Sequence, residues 1–171
     1  MNPTMQDITI QDLDSPIGTM MLAASESGVC ALDFAERRPA ILGRLERRFG
    51  RLMLRRPHRP DATAERLRAY FAGELQALDA IPVDPGGTPF QREVWSALRA
   101  VRPGRTISYG ALAGRIQRRS ASRAVGAANA RNPVAIVIPC HRVIGSDGRL
   151  TGYAGGLNRK QWLLDHEEKH G

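Results

Sequence analysis

Cys140 and His141 stand side by side in Pro139-Cys140-His141-Arg142-Val143, directly after the apolar run Val134-Ala135-Ile136-Val137-Ile138. A cysteine attacks as its thiolate, and a neighbouring base or cation raises the thiolate fraction. The apolar run predicts a buried strand, which gives the nucleophile a rigid support and a reachable tip. Pro139 fixes the backbone just before it. Successive strand residues point to opposite faces, so pairing Cys140 with His141 needs an irregular turn or a bridging water. A base is normally oriented by a third group, and the acids of the last helix are Asp165, Glu167 and Glu168. These residues offer an acid–His–Cys relay for nucleophilic chemistry. The other cysteine, Cys30, falls inside a strand pattern and reads as a packing residue. Two cysteines are too few for a disulfide scaffold or a cysteine-based zinc site. His58 stands alone in a loop and reads as a surface residue.

The elements that must position this relay read as α+β. Ile8 to Leu13 alternates, Thr19 to Ala24 and Val29 to Phe34 are further strand patterns, and Ser15-Pro16-Ile17-Gly18 and Ser25-Glu26-Ser27-Gly28 are turns between them. An antiparallel meander is expected. Pro39 to Phe49 and Asp61 to Leu78 have helical spacing, separated by a breaker-rich loop from Arg55 to Pro60. Asp84-Pro85-Gly86-Gly87 marks a domain boundary, giving units 1–84 and 85–171. Thr88-Pro89-Phe90-Gln91 starts a helix through a capping box, with Phe90, Val94, Trp95 and Leu98 on its buried side. Ser108 caps a short helix, Tyr109 to Ile116. A turn at Gln117 to Ser120 leads to a second helix from about Ala121 to Ala130, rich in small residues. Two short helices joined this way form a helix-turn-helix over about 108–130. Asn132-Pro133 breaks the chain, residues 151–156 form a Gly-rich loop, and Leu157 to about Glu168 is a final helix.

Charge points to a polyanionic partner. The 171-residue chain has a formal net charge of +8. Between Gln91 and Arg131 stand nine arginines against one acid, Glu93, so the excess overlaps the helix-turn-helix. No apolar run is long enough to span a membrane, and the first residues lack a basic stretch followed by an apolar one. A cytoplasmic location is expected.

Residues 88–167 resemble the O6-alkylguanine-DNA alkyltransferase family. The likeness is carried by Thr88-Pro89-Phe90-Gln91-Arg92-Glu93-Val94-Trp95, Ser108-Tyr109-Gly110, Arg123-Ala124-Val125-Gly126-Ala127-Ala128-Asn129, Asn132-Pro133, Ile138-Pro139-Cys140-His141-Arg142-Val143-Ile144-Gly145 and Gly152-Tyr153-Ala154-Gly155-Gly156-Leu157. The preceding residues resemble the family's variable N-terminal domain more weakly, mainly through the strand pattern and Phe71-Ala72-Gly73-Glu74-Leu75.

The resemblance implies an RNase H-like antiparallel-sheet domain followed by a mostly helical domain with a helix-turn-helix. It implies DNA repair by direct reversal: the alkyl group moves from O6-alkylguanine, with O4-alkylthymine as a second candidate, to Cys140, once per molecule. By the same resemblance His141 acts as base through a water, Glu167 orients it, and Asn132 supports the turn. Tyr109 rotates the 3′ phosphate and donates to the departing base, and Arg123 fills the vacated stack. Ser122, Ala124, Gly126 and Ala127 would approach the DNA, with Arg118 and Arg119 on phosphates. Tyr153, Ala154, Lys160, Val143 and Trp95 would form the base pocket, with Val143 and Cys140 offering carbonyls to the guanine amino group. No cofactor and no metal are expected, since the region where some relatives hold zinc offers only Cys30 and His58. The expected partner is double-stranded DNA, bound by a monomer, with cooperative loading as a variant. Gln117-Arg118-Arg119-Ser120 replaces the Gly and Pro that the family often has in the helix-turn-helix turn. A thiol hydrolase and a non-repairing damage sensor are the two other readings. The first would turn over repeatedly without DNA; the second would lack the acceptor cysteine or carry an extra cysteine-rich sensor domain.

Overall fold

The computed structural model describes residues 5–171; residues 1–4, part of the segment read as lacking a leader, lie outside the described residues. Strands β1 (Gln6–Leu13), β2 (Met20–Ser25) and β3 (Gly28–Phe34) pair antiparallel in succession, as the alternation predicts. Alternate residues of β2 enter different cores: Met20 and Leu22 face the C-terminal half, while Met21 and Ala23 face the first helix. The sheet is therefore a middle layer, and every residue of β3 is buried. Helix α1 (Arg38–Phe49) covers one face with Ile41 and Leu45.

A fourth strand, β4 (Leu52–Arg55), pairs parallel to β1, giving the order β3-β2-β1-β4. The expected meander lacks it. Only Leu52 packs against a core, and Met53 to Arg55 are exposed, so no alternating pattern announced the strand. The single helix expected over Asp61 to Leu78 is also broken. Helix α2 (Ala62–Phe71) ends before Gly73, whose φ of +111° departs from helical geometry, and a 3₁₀ turn (Leu75–Leu78) follows.

In the C-terminal half, α3 (Pro89–Arg99) begins with the expected Thr88/Gln91 capping box. Ser108 accepts the Ala111 N–H and caps α4 (Tyr109–Arg115). Helix α5 (Ser122–Ala130) has no side-chain cap. The turn between α4 and α5 closes with Gln117 at φ +58°, a left-handed position that glycine would take without cost, and with the Arg118 N–H on the Ala113 carbonyl. Strands β5 (Ile107–Ser108) and β6 (Val143–Ile144) pair parallel, tying the start of α4 to the segment after Cys140. Helix α6 (Leu157–His170) closes the chain. One core cluster joins the sheet's second face to α2, α3, α4, α5 and α6. Among the described residues no helix is long and apolar enough to cross a membrane.

Candidate active site

The expected strand over Val134–Ile138 is absent. Val134 makes one bridge to Leu32, Ala135 one to Ile138, and Ile136 takes a left-handed φ of +71°. The run is apolar because it lies in the core between the two halves, and an apolar run carries no periodicity to distinguish strand from buried loop. Asn132 braces this loop: its Nδ2 donates to the Ile138 carbonyl (2.7 Å) and its Oδ1 accepts the Val134 N–H (3.0 Å). Pro139 then leads into a 3₁₀ turn, Cys140–Arg142. This is the irregular turn that adjacent Cys and His require, since it releases them from opposite faces of a strand.

Cys140 is buried at the wall of a cavity of about 320 Å³, lined also by Asp33, Phe34, Tyr109, Gly126, Asn129, Tyr153 and Ala154. Burial pushes its thiol pKa up, while the Asn132 amide and the Lys160 ammonium pull the other way. The resting group is a thiol and needs a base. His141 is fully buried, with Nε2 2.7 Å from Glu167 Oε1. Glu167 also accepts from Arg142 Nε (2.9 Å), Arg142 Nη2 (2.7 Å) and the Tyr70 hydroxyl (2.8 Å). Burial opposes ionisation of Glu167, but its contacts with His141 and Arg142 hold the carboxyl well below the usual carboxylate range. Burial lowers the His141 pKa against the pull of Glu167, so the ring is neutral at neutral pH. With Nε2–H donating to the carboxylate, Nδ1 is the basic nitrogen, and it has no hydrogen-bond partner among the described residues.

Other expected site residues divide by position. Tyr109 reaches the cavity with its hydroxyl 2.7 Å from Thr151 Oγ1, and Tyr153 and Ala154 line the cavity from the Gly-rich loop. Arg123, Ala124 and Ala127 share the exposed face of α5, Ser122 and Gly126 are half-buried beside it, and Arg119 is exposed in the turn. Arg118 is exposed but pairs with Glu93 at 3.3 Å, a surface contact weak enough for a phosphate to displace.

Three positions expected in the base pocket stand elsewhere. Trp95 is in the core and donates its indole N–H to the Ala128 carbonyl (2.9 Å), fastening α3 to α5. Lys160 is fully buried, with its ammonium on the carbonyls of Val143 (2.6 Å) and Thr151 (2.7 Å). Neither residue lines the cavity, nor does Val143, whose carbonyl already accepts from Lys160. Lys160 instead joins β6 to the loop and places a cation near the thiol.

The structure adds residues that the sequence did not single out. Arg142 neutralises Glu167 and donates to the Val101 carbonyl (2.5 Å). Asn129 is buried beside Cys140, with Nδ2 3.5 Å from its carbonyl. Tyr70 sits on the apolar stripe of α2, where spacing alone marks it as core. Asp33 and Phe34 come from the end of β3, with nothing local to connect them to a site as far along the chain as Cys140.

Fold and site together define an α+β protein with a helix-turn-helix beside a cavity that ends on a buried cysteine. Residues 10–85 match the family described as 6-O-methylguanine DNA methyltransferase, ribonuclease-like domain, and residues 89–169 match 6-O-methylguanine DNA methyltransferase, DNA binding domain. A methylated-DNA–protein-cysteine methyltransferase of Shigella flexneri is 56% identical over 108 residues, spanning 63% of each chain. One from Mycolicibacterium paratuberculosis is 45% identical over 165 residues, covering 95% of this chain and 94% of that one. The crystal structure of the Mycobacterium tuberculosis protein in complex with DNA superposes with a TM-score of 0.79 at 39% identity, covering 96% and 94% of the two chains. The chain belongs to the methylated-DNA–protein-cysteine methyltransferase family.

Proposed function

We propose that this chain repairs DNA by direct reversal, taking the alkyl group from O6 of guanine onto Sγ of Cys140. The observation that carries this reading is the state of the relay: an un-ionised buried thiol, and a neutral His141 whose Nε2 is fixed by Glu167 and whose Nδ1 is free. A water on Nδ1 passes the thiol proton to the imidazole, and Glu167 stabilises the imidazolium that results. The new Sγ–carbon bond forms as the carbon–O6 bond breaks, and the guanine leaves with a proton supplied at the cavity, where the Tyr109 hydroxyl is the candidate donor. The product is a thioether with no carbonyl for water to attack, so each molecule reacts once. O4-alkylthymine is a second candidate lesion.

In this reading residues 85–171 hold the DNA and the acceptor, while residues 1–84 wall the cavity through Asp33 and Phe34. The partner is double-stranded DNA, and the protein binds it as a monomer. A base inside a duplex cannot reach Cys140, so it must be flipped out at a cost of a few kcal/mol. The small residues on α5 let its backbone approach a groove closely, and the exposed Arg123 guanidinium fills the vacated stack. Arg123→Ala should slow reaction with a lesion-bearing duplex by about tenfold, one lost charged contact. Reaction with free O6-benzylguanine, which needs no flipping, should be nearly unchanged. Rates of Cys140 benzylation and methylation for the two substrates check this; an equal loss on both would remove Arg123 from the DNA step.

A further inference from the structure

The loop over residues 151–156 supplies Tyr153, Ala154 and Gly155 to the cavity and has no regular secondary structure of its own. Lys160 and Tyr109 hold its start, on Thr151. Its tip is held by Arg37 of the N-terminal half and by Arg159 of α6, which is itself anchored on the N-terminal half. Arg37 Nη1 donates to the Ala154 carbonyl at 3.0 Å, and Arg37 is itself paired with Asp33 at 3.1 Å. Arg159, at the start of α6, donates to the carbonyls of Ile17 (2.8 Å) and Gly155 (3.3 Å) and pairs with Glu36. Its guanidinium lies 3.7 Å over the Phe34 ring. Gly155 packs so tightly on that ring that an added Cβ would lie 2.4 Å from it.

We infer that Glu36 and Arg37 are positioning residues for lesion binding: they latch the tip of the cavity loop to the N-terminal half. The inference rests on the alkyl-transfer reading of Cys140. A trans peptide sets its C=O and the next N–H antiparallel. Arg37 does not line the cavity but its hold on the Ala154 carbonyl fixes the plane of the Ala154–Gly155 peptide in the cavity wall, with the Gly155 N–H directed away from Arg37. Without the latch the loop must be ordered by the base itself, and that cost appears in binding rather than in the chemical step.

The test is the concentration dependence of Cys140 benzylation by free O6-benzylguanine in single-turnover reactions on the full chain. Arg37→Met should raise the half-saturating concentration about tenfold, the weight of one charge-assisted hydrogen bond. The maximal rate should change less than about twofold, and Arg37→Lys should fall between wild type and Arg37→Met. A general folding defect would lower the reacting fraction and leave half-saturation in place. Arg37 and Glu36 are both solvent-accessible, so Glu36→Gln, which loosens Arg159, provides the same readout with a smaller shift if Arg37→Met does not fold. An unchanged half-saturation in the variants, beside a wild type that reacts, overturns the latch alone. A wild type that takes up no benzyl group overturns the alkyl-transfer reading and the latch with it.

Discussion

Cys140→Ala should transfer nothing while still binding lesion-bearing duplex within about twofold of wild type, because the substitution removes one sulfur atom from the cavity wall and no DNA-facing group. The expected loss is complete because no second nucleophile replaces Sγ. Cys30 lies in the other core, between the sheet and α1, with its pKa raised to about 11 mainly by burial. It is neither ionised nor near the cavity. The remaining cavity groups, among them Asn129, Asn132 and Tyr153, are hydrogen-bonding groups without a nucleophile of comparable strength. Mass spectrometry after incubation with the lesion duplex, beside a direct binding assay, checks both halves. Any alkyl gain in the variant would move the acceptor away from Cys140. A matching loss of DNA binding would show that the thiol is part of the grip and not only of the chemistry.

Glu167→Gln should have the second largest effect, on stability and rate together. One carboxylate answers to His141, Arg142 and Tyr70, all buried. Neutralising it leaves the Arg142 charge in the core without its counter-charge, which costs about 3–5 kcal/mol, or on the order of 10 °C in Tm. His141 also loses the group that fixes its tautomer and stabilises the imidazolium, so benzylation should slow by about 10²-fold or more. Adding Arg142→Met removes the uncompensated charge and should restore part of the stability, but none of the rate. The pH dependence has a defined sign. A carboxyl held below its ordinary value contributes stability that is fully present above its unfolded pKa, near 4.3, and that is lost as pH falls through the lower folded value. The stability gap between wild type and Glu167→Gln should therefore be constant at neutral pH and close only in strong acid. A variant with wild-type Tm and rate would deny Glu167 both roles.

How much of this was legible before the fold was known depended on whether a residue's partners were local. Capping boxes and turns are local, so the starts of α3 and α4 were readable from Thr88/Gln91 and Ser108. The Pro-Cys-His-Arg string is readable too; of the late acids Asp165, Glu167 and Glu168 only the resemblance singles out Glu167, and the fold does bring His141 and Glu167 to 2.7 Å. The apolar run before Cys140 reads as a strand because burial, the property it encodes, is shared by strands and core loops. β4 carries no strand pattern because its pairing is made by backbone groups while three of its four side chains, Met53 to Arg55, are exposed. Lys160 and Trp95 were placed in the base pocket by resemblance, but each is held by carbonyls that no spacing rule predicts. The contribution of Asp33, Phe34 and Arg37 is non-local altogether. Asp33 and Phe34 reach the cavity, and Arg37 the loop beside it, because β3 runs through the middle of the molecule with the Val134 loop against its edge.

Stoichiometric transfer to one sulfur is what the relay around Cys140 is built to perform. Intact-protein mass spectrometry after incubation with a duplex carrying a single O6-methylguanine, followed by peptide mapping, tests it most directly. The expected result is a gain of one methyl group, mapped to Cys140, that saturates at one per molecule however much lesion is supplied. Lesion consumed beyond one per protein molecule, a methyl group on any other residue, or no gain from a protein that binds the lesion would contradict it.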